Sequence, residues 1–204
     1  MKTISCMNID QDVLRSFGAE SKTYKKGDVI FREGENAGYY YQIVSGKVKL
    51  NNYDEEGKEF IQNLLGENQS FGDSILFLER FHGMNAICVQ PVELMRLPKK
   101  NFFEMLDKNP HLSLEMNACL SQRLYFKSLM LQGLASQNPV HRLKGLLDYL
   151  KSYHNGECEQ CFNVELTRQE MANLVGLRVE TVIRTLKKME KEGKIKIENR
   201  KILY

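Results

Sequence analysis

The chain has 204 residues, 42% of them hydrophobic, and a formal net charge of +3 at pH 7. That is enough apolar material for one or two packed domains, and too little net charge for the whole molecule to act as a basic clamp. No apolar run is long enough to span a bilayer, and the first ten residues, MKTISCMNID, lack the apolar core of a signal peptide. The five cysteines (Cys6, Cys88, Cys119, Cys158 and Cys161) are odd in number and scattered, which fits reduced thiols in a cytoplasmic protein.

Residues 1–20 predict a short helix with Ile9, Val13, Leu14 and Phe17 on its apolar side. From Ser21 to about Pro98 the pattern becomes short alternating strands. The candidates are Val29–Phe31, Tyr39–Val44, Lys47–Tyr53, Glu59–Leu65, Ala86–Val89 and Val92–Leu97, with turns at Gly27, Gly34, Gly46, Gly57 and Gly66. Many short strands with regular turns predict a sandwich or jelly-roll barrel. Strand–helix alternation of the doubly wound kind is missing.

Pro98 opens a helical regime. Lys99–Asp107 reads as a short helix ended by Asn109–Pro110, and His111–Gln137 as a long one. Leu120, Leu124, Leu131 and Leu134 recur along it at coiled-coil spacing, with Asn117 and Lys127 in the intervening slots. This predicts a dimer seam, in which Asn117 and Lys127 fix register at some cost in stability; the alternative is a helix packed on its own domain, for which Phe126 and Met130 lie on another side. Asn138–Pro139 marks a hinge. Val140–His154 is a helix with Leu143, Leu146, Leu147 and Leu150 inside, and Cys161–Leu166 a strand. The predicted domains are 1–109, 110–137 and 138–204.

The last forty or so residues hold the basic excess and the most informative motif. Thr167 and Glu170 have capping-box spacing. Met171, Leu174 and Val175 recur at helical spacing, Gly176 breaks the helix, and Val182, Leu186 and Met189 resume the stripe. Small Ala172, then Gly four on, then an apolar residue six further on, is the frame of a helix-turn-helix. Arg178, Glu180, Arg184, Lys187 and Lys188 crowd the second helix. Glu180 and Arg184 stand one turn apart, so they form either a solvated ion pair or a base-reading pair, Arg to guanine and Glu to the cytosine amino group. Ile195–Ile197 and Ile202–Tyr204 read as a two-stranded wing around a polar turn.

In LTRQEMANLVGLRVETVIRTLKKMEKEGKI, GDVIFREGENAGYYYQIVSGKVKL and DEEGKEFIQNLLGENQSFGD, the chain resembles the Crp/Fnr family of bacterial transcription regulators. The resemblance implies an α+β architecture: an N-terminal β jelly-roll (double-stranded β-helix) barrel of the cyclic-nucleotide-binding type, a long dimerisation helix and a C-terminal winged helix-turn-helix. It also implies a cytoplasmic homodimer on double-stranded DNA, with RNA polymerase as a further partner. The DNA-binding residues it implies are Thr167, Arg168, Gln169, Arg178, Val179, Glu180, Thr181, Ile183, Arg184 and Lys187. Val179 stands where the cyclic-AMP branch carries arginine. Val-Glu resembles the oxygen-sensing branch, whose half-sites hold TTGA, so a TTGxx-like half-site is expected. Ile183 replaces that branch's serine and suits a thymine methyl.

The expected effector pocket comprises Gly72, Asp73, Met84, Asn85, Lys127 and Ser128. Met84 takes the place of the family's phosphate-binding arginine, unless His82 or Arg80 substitutes by the loop folding back, and a buried phosphate without a cation is costly, so cyclic AMP is not the expected effector and Asp73 is left as a turn cap. An iron–sulfur cluster is not expected either, because Cys6 is the only N-terminal cysteine. Cys158-Glu-Gln-Cys161, with His154 nearby, is a weak metal or redox candidate, and His82, His111 and Met84 are conceivable haem ligands. A paired-carboxylate, Ser/His/Asp or phosphate-loop set does not stand out. The rival readings are an effector-independent factor and a cupin-like sensor enzyme, the latter disfavoured by a barrel stretch whose one histidine is His82.

Overall fold

Asp10 starts the first regular element. Its carboxylate accepts from the backbone N–H of Asp12 and Val13, capping α1 (Gln11–Ser16). Among the described residues, the helix predicted over 1–20 is confined to these six. Gly18 and Ala19 donate back to Arg15 and Leu14 with Gly18 at φ +87°, a glycine-closed stop. The chain turns at once into a strand, β1 (Glu20–Tyr24), which the polar string ESKTY conceals. The computed structural model describes residues 7–152 and 162–204, without the side chains of residues 130, 133–135 and 152. Cys6, His154, Cys158, Cys161 and the side chains of Met130 and Leu134 therefore lie outside the described residues.

The chain divides into two compact units. One is Ser5–Ser121, and the other contains Gln122–Tyr204. The first is a barrel of two antiparallel four-stranded sheets. Its strands after β1 are β2 (Val29–Phe31), β3 (Tyr39–Ser45), β4 (Val48–Tyr53), β5 (Glu59–Leu65), β6 (Ser70–Phe71), β7 (Asn85–Cys88) and β8 (Val92–Pro98). One sheet runs β1-β8-β3-β6 and the other β2-β7-β4-β5, the non-sequential order of a jelly roll. Both sheets turn one face inward. Phe31, Tyr41, Ile43, Val48, Leu65, Phe71, Ala86, Cys88, Val92 and Leu94 are buried together there. The opposite face of β3 carries Tyr40, whose ring stacks on Phe102 of α2 (Lys99–Lys108) at 4.9 Å, so the helix covers that side of the sheet.

Helix α3 (Pro110–Ala135) follows. The second unit packs α4 (Pro139–Ser152), α5 (Arg168–Val175) and α6 (Val179–Lys191) around Leu143, Leu146, Leu147, Met171, Leu174, Val182, Leu186 and Met189, all buried. Its small antiparallel sheet runs β10 (Lys196–Glu198), β11 (Lys201–Leu203), β9 (Asn163–Val164). Ile202 sits at its centre, fully buried. Among the described residues, no helix is long and apolar enough to cross a membrane.

Candidate nucleic-acid interface

The start of α5 is fixed by its first four residues. The Thr167 hydroxyl accepts from the Glu170 N–H at 3.1 Å, and the Glu170 carboxylate accepts from the Thr167 N–H at 2.7 Å. This reciprocal pair is the capping box read from the sequence. At the other end Gly176 takes φ +64°, and Leu177 donates back to Ala172. A left-handed residue there turns the chain sharply without steric cost. Arg142 of α4 braces the turn by donating to the Val175 carbonyl. Arg178 then caps α6 from an extended conformation, and buried Val182, Thr185, Leu186 and Met189 pin one face of α6 to the unit's core.

The other face is left to solvent. Glu180, Arg184 and Lys188, and beside them Ile183, Lys187 and Lys191, repeat at four-residue steps and line a groove of about 630 Å³. Among the described residues, neither Glu180, Arg184 nor Lys187 enters an ion pair. The solvated Glu180–Arg184 pair weighed from the sequence is therefore not formed, and both charges are available to a partner. Arg178, Thr167 and Gln169 are also exposed; Val179, Thr181 and Arg168 are half-buried. Gln169 donates to Asn173 at 2.9 Å.

A second groove, of about 820 Å³, lies on the opposite flank of α6, between it and the hairpin formed by β10 and β11. Leu166, Ile183 and Ile197 line it together with Thr167, Arg168, Lys187, Arg200 and Lys201. The hairpin tip is a two-residue turn in which Asn199 (φ +48°) and Arg200 (φ +66°) both take positive φ. That conformation matches the strand twist of tight hairpins and normally has glycine at its second position. Here an exposed arginine occupies it. Arg200 and Lys201 join the site although the helix-centred sequence assignment omitted them. The Asn-Arg pair at a predicted polar turn, inside a basic run, is the signal that marks them.

In the barrel, the residues expected at an effector pocket have structural partners. Gly72 takes φ +70°, and a Cβ there would stand 2.9 Å from the Tyr41 ring. The Asp73 carboxylate accepts from the Ser70 hydroxyl and the Ser74 N–H, capping a 3-10 turn at Ser74–Phe77 while buried. Asn85 accepts from the Glu33 N–H and donates to the Asn51 carbonyl. Met84 is half-buried and offers only a thioether. The positions expected at the effector pocket thus supply neither a cation for a cyclic phosphate nor a disengaged carboxylate for a ribose, and so do not fit cyclic AMP. Lys127 and Ser128 belong to the second unit, both exposed on α3, where Ser128 donates back to Leu124.

His82 lies flat on Phe31, ring centroids 3.6 Å apart, and is buried. Burial pushes its pKa down, and Glu35 opposes this more weakly. The unfolded chain takes up a proton near pH 6.5 while the folded barrel resists it, so acidification through that range destabilises the fold. Lowering the pH from about 7.5 to about 5.5 will lower the melting temperature of the wild type more than that of His82→Gln, as thermal melts in matched buffers will show. His111 is exposed at the start of α3. Among the described residues, no group of three or more His, Cys, Asp or Glu is placed to hold a metal ion.

Along α3, most of the described positions expected at a dimer seam are exposed. Leu124 and Leu131 are 69% and 65% exposed, Asn117 and Lys127 are exposed, and Leu120 is half-buried. Phe126 instead packs on Tyr149 of α4 at 5.4 Å, so it serves its own unit.

Two family models match the chain, a cyclic nucleotide-binding domain over residues 21–109 and a Crp-like helix-turn-helix domain over residues 141–204. The global nitrogen regulator of Nostoc sp. is 30% identical over 187 residues, covering 89% of this chain and 83% of the relative. The cAMP-activated global transcriptional regulator CRP of Pasteurella multocida is 28% identical over 182 residues, covering 88% and 87%. Among solved structures, the c-di-GMP responsive global regulator CLP of Xanthomonas campestris matches with a TM-score of 0.74 at 22% identity over 95% of this chain and 98% of that one; it supports the fold alone. A CRP/FNR family transcriptional regulator of Thermus thermophilus matches with a TM-score of 0.66 at 27% identity, covering 90% and 92%.

Proposed function

The chain belongs to the Crp/Fnr family of DNA-binding transcription regulators, and from that premise we propose that it works as a homodimer whose two α6 helices read a pseudo-palindromic promoter site with TTG-type half-sites. It is a regulator and not an enzyme, like the relatives it matches. The observation that supports this reading best is the exposed face of α6, where Glu180 and Arg184 stand one turn apart without an intramolecular ion pair. A carboxylate and a guanidinium so placed suit a C·G pair and its neighbour in the major groove. Thr167, Arg168, Gln169 and Lys187 suit phosphates, which position the helix without reading sequence, and Arg200 and Lys201 at the hairpin extend that basic rim.

The barrel is the regulatory part of this proposal. Its effector is other than cyclic AMP, since position 84 brings no cation and Asp73 is held by Ser70 and Ser74. RNA polymerase and a cytoplasmic setting complete the reading.

Selection of bound fragments from a random DNA pool tests it. The expected product is a two-fold repeat of TTG-type half-sites whose centres lie about one helical turn apart, on one face of the duplex. Recovery of GTGA half-sites would overturn the assignment to Val179, Glu180 and Arg184, and recovery of no sequence would overturn the regulator reading of α6 itself.

A further inference from the structure

We propose that Ile183 reads the 5-methyl group of a pyrimidine in the major groove, so that the protein responds to thymine and to 5-methylcytosine at one position of each half-site. The inference rests on α6 being the DNA-reading helix.

Ile183 is 42% exposed on a face otherwise made of charged side chains. It contributes little to the core, which Val182, Leu186 and Met189 fill at 0%, 1% and 0% exposure. It lines both grooves that flank α6, as Lys187 does. A residue shared by the grooves on either side stands on the crest between them, and the crest of a reading helix goes deepest into the duplex. At that place the sequence sets a β-branched hydrocarbon, the one exposed residue of this stripe that cannot form a hydrogen bond.

The chemistry of base edges then narrows what it can meet. Among the base-edge groups of the major groove, most are hydrogen-bond donors or acceptors; the thymine methyl is the one bulky apolar group, and the cytosine C5–H at the same place is apolar but small. An isoleucine pressed on a donor or acceptor strips its water and returns no hydrogen bond, which is unfavourable. Pressed on a methyl group, it buries apolar area on both sides. Ile183 adjoins Arg184 in sequence and lies one turn from Glu180, so the methyl belongs to a base pair adjoining the one that Arg184 reads. A cytosine methylated at C5 presents the same methyl at the same place, and an unmethylated cytosine does not.

The test is fluorescence anisotropy with the full chain on the site recovered by selection, each thymine being replaced in turn by deoxyuridine, which removes the methyl and nothing else. One thymine per half-site, beside the Arg184 guanine, is expected to lose about fourfold in affinity, the effect of burying one methyl-sized group. With cytosine at that position, 5-methylation is expected to restore a similar factor. Ile183→Ala should bind the thymine and deoxyuridine sites alike, while Ile183→Val keeps the difference. The proposal is overturned if no thymine is sensitive, or if Ile183→Ala keeps the wild-type sensitivity, which would assign the contact to Val179 or Thr181. A chain that binds a selected site tightly yet ignores deoxyuridine sinks this inference alone. A chain that selects no site sinks the DNA-reading premise as well.

Discussion

Replacing Arg184 by alanine will weaken binding to the selected palindrome by about 1–3 kcal/mol per half-site, roughly a five- to 150-fold loss, with discrimination at the guanine lost alongside. The side chain is exposed, takes no ion-pair partner among the described residues and lines the groove beside α6. Its removal therefore leaves no buried group unsatisfied, and the fold will hold. Arg184→Lys will not rescue the contact, because an ammonium is a point donor and cannot present the two-pronged geometry of a guanidinium to guanine. Lys187→Ala gives the contrast. It will weaken all DNA sequences about equally and reduce the salt dependence by about one released counterion. Titrations of the two variants against selected and scrambled duplexes at several salt concentrations separate the effects. Equal losses of Arg184→Ala on both duplexes would show that the guanidinium meets phosphate and not base.

The parts of this site that were legible from the sequence are those fixed by neighbours in the chain. Thr167 and Glu170 meet across three residues, Gly176 closes the helix between them and α6, and the stripe from Glu180 to Lys191 repeats at the helical period. Local geometry settles all three. The Asn-Arg turn was visible as a polar turn, but the positive φ of Arg200 and its place beside α6 follow from the pairing of Glu198 with Lys201, which composition does not show. The barrel was legible as a class and less so in detail. β1 and β6 escaped because one is polar in sequence and the other only two residues long.

The pocket positions were harder still, since their partners are distant in sequence. Asn85 accepts from the N–H of Glu33, 52 residues away, and His82 stacks on Phe31. Gly72 answers to the Tyr41 ring. Read singly, Gly72, Asp73 and Asn85 look like remnants of a ligand site. Read with their partners, they build the turn and tie the β2–β3 loop to β4. Arg184 and Ile183 present the opposite case: among the described residues neither enters a long-range hydrogen bond or ion pair, and for that reason their sequence pattern is a direct guide to a surface role.

Leu124 and Leu131 carry the other large expected effect. If the proposed homodimer forms through this face of α3, changing both to glutamate will give monomers and reduce affinity for the proposed palindrome to that of a single half-site. The two side chains are 69% and 65% exposed, one heptad apart on α3, while Phe126 from another side of the helix already packs on Tyr149. A helix apolar on more than one side has more than one surface to cover. Burying a leucine contributes about 1.5–3 kcal/mol, so four from two chains supply at most about 6–12 kcal/mol towards association, whose entropic cost is of similar size. On the proposed seam, Leu120, half-buried, would add to the contact, whereas Asn117 and Lys127 would moderate it and favour one register. Four carboxylates in its place must either be desolvated or stay apart, and either outcome opens the dimer. Sedimentation equilibrium reads the mass, and titration of the variant on full and half sites reads the consequence. Two reading helices held by one seam bind as a single unit, so separating them removes the gain in effective concentration without touching a DNA contact. If the double variant stays dimeric, the seam lies elsewhere than on Leu124 and Leu131; if it becomes monomeric and still binds the palindrome at full strength, the two-fold reading fails.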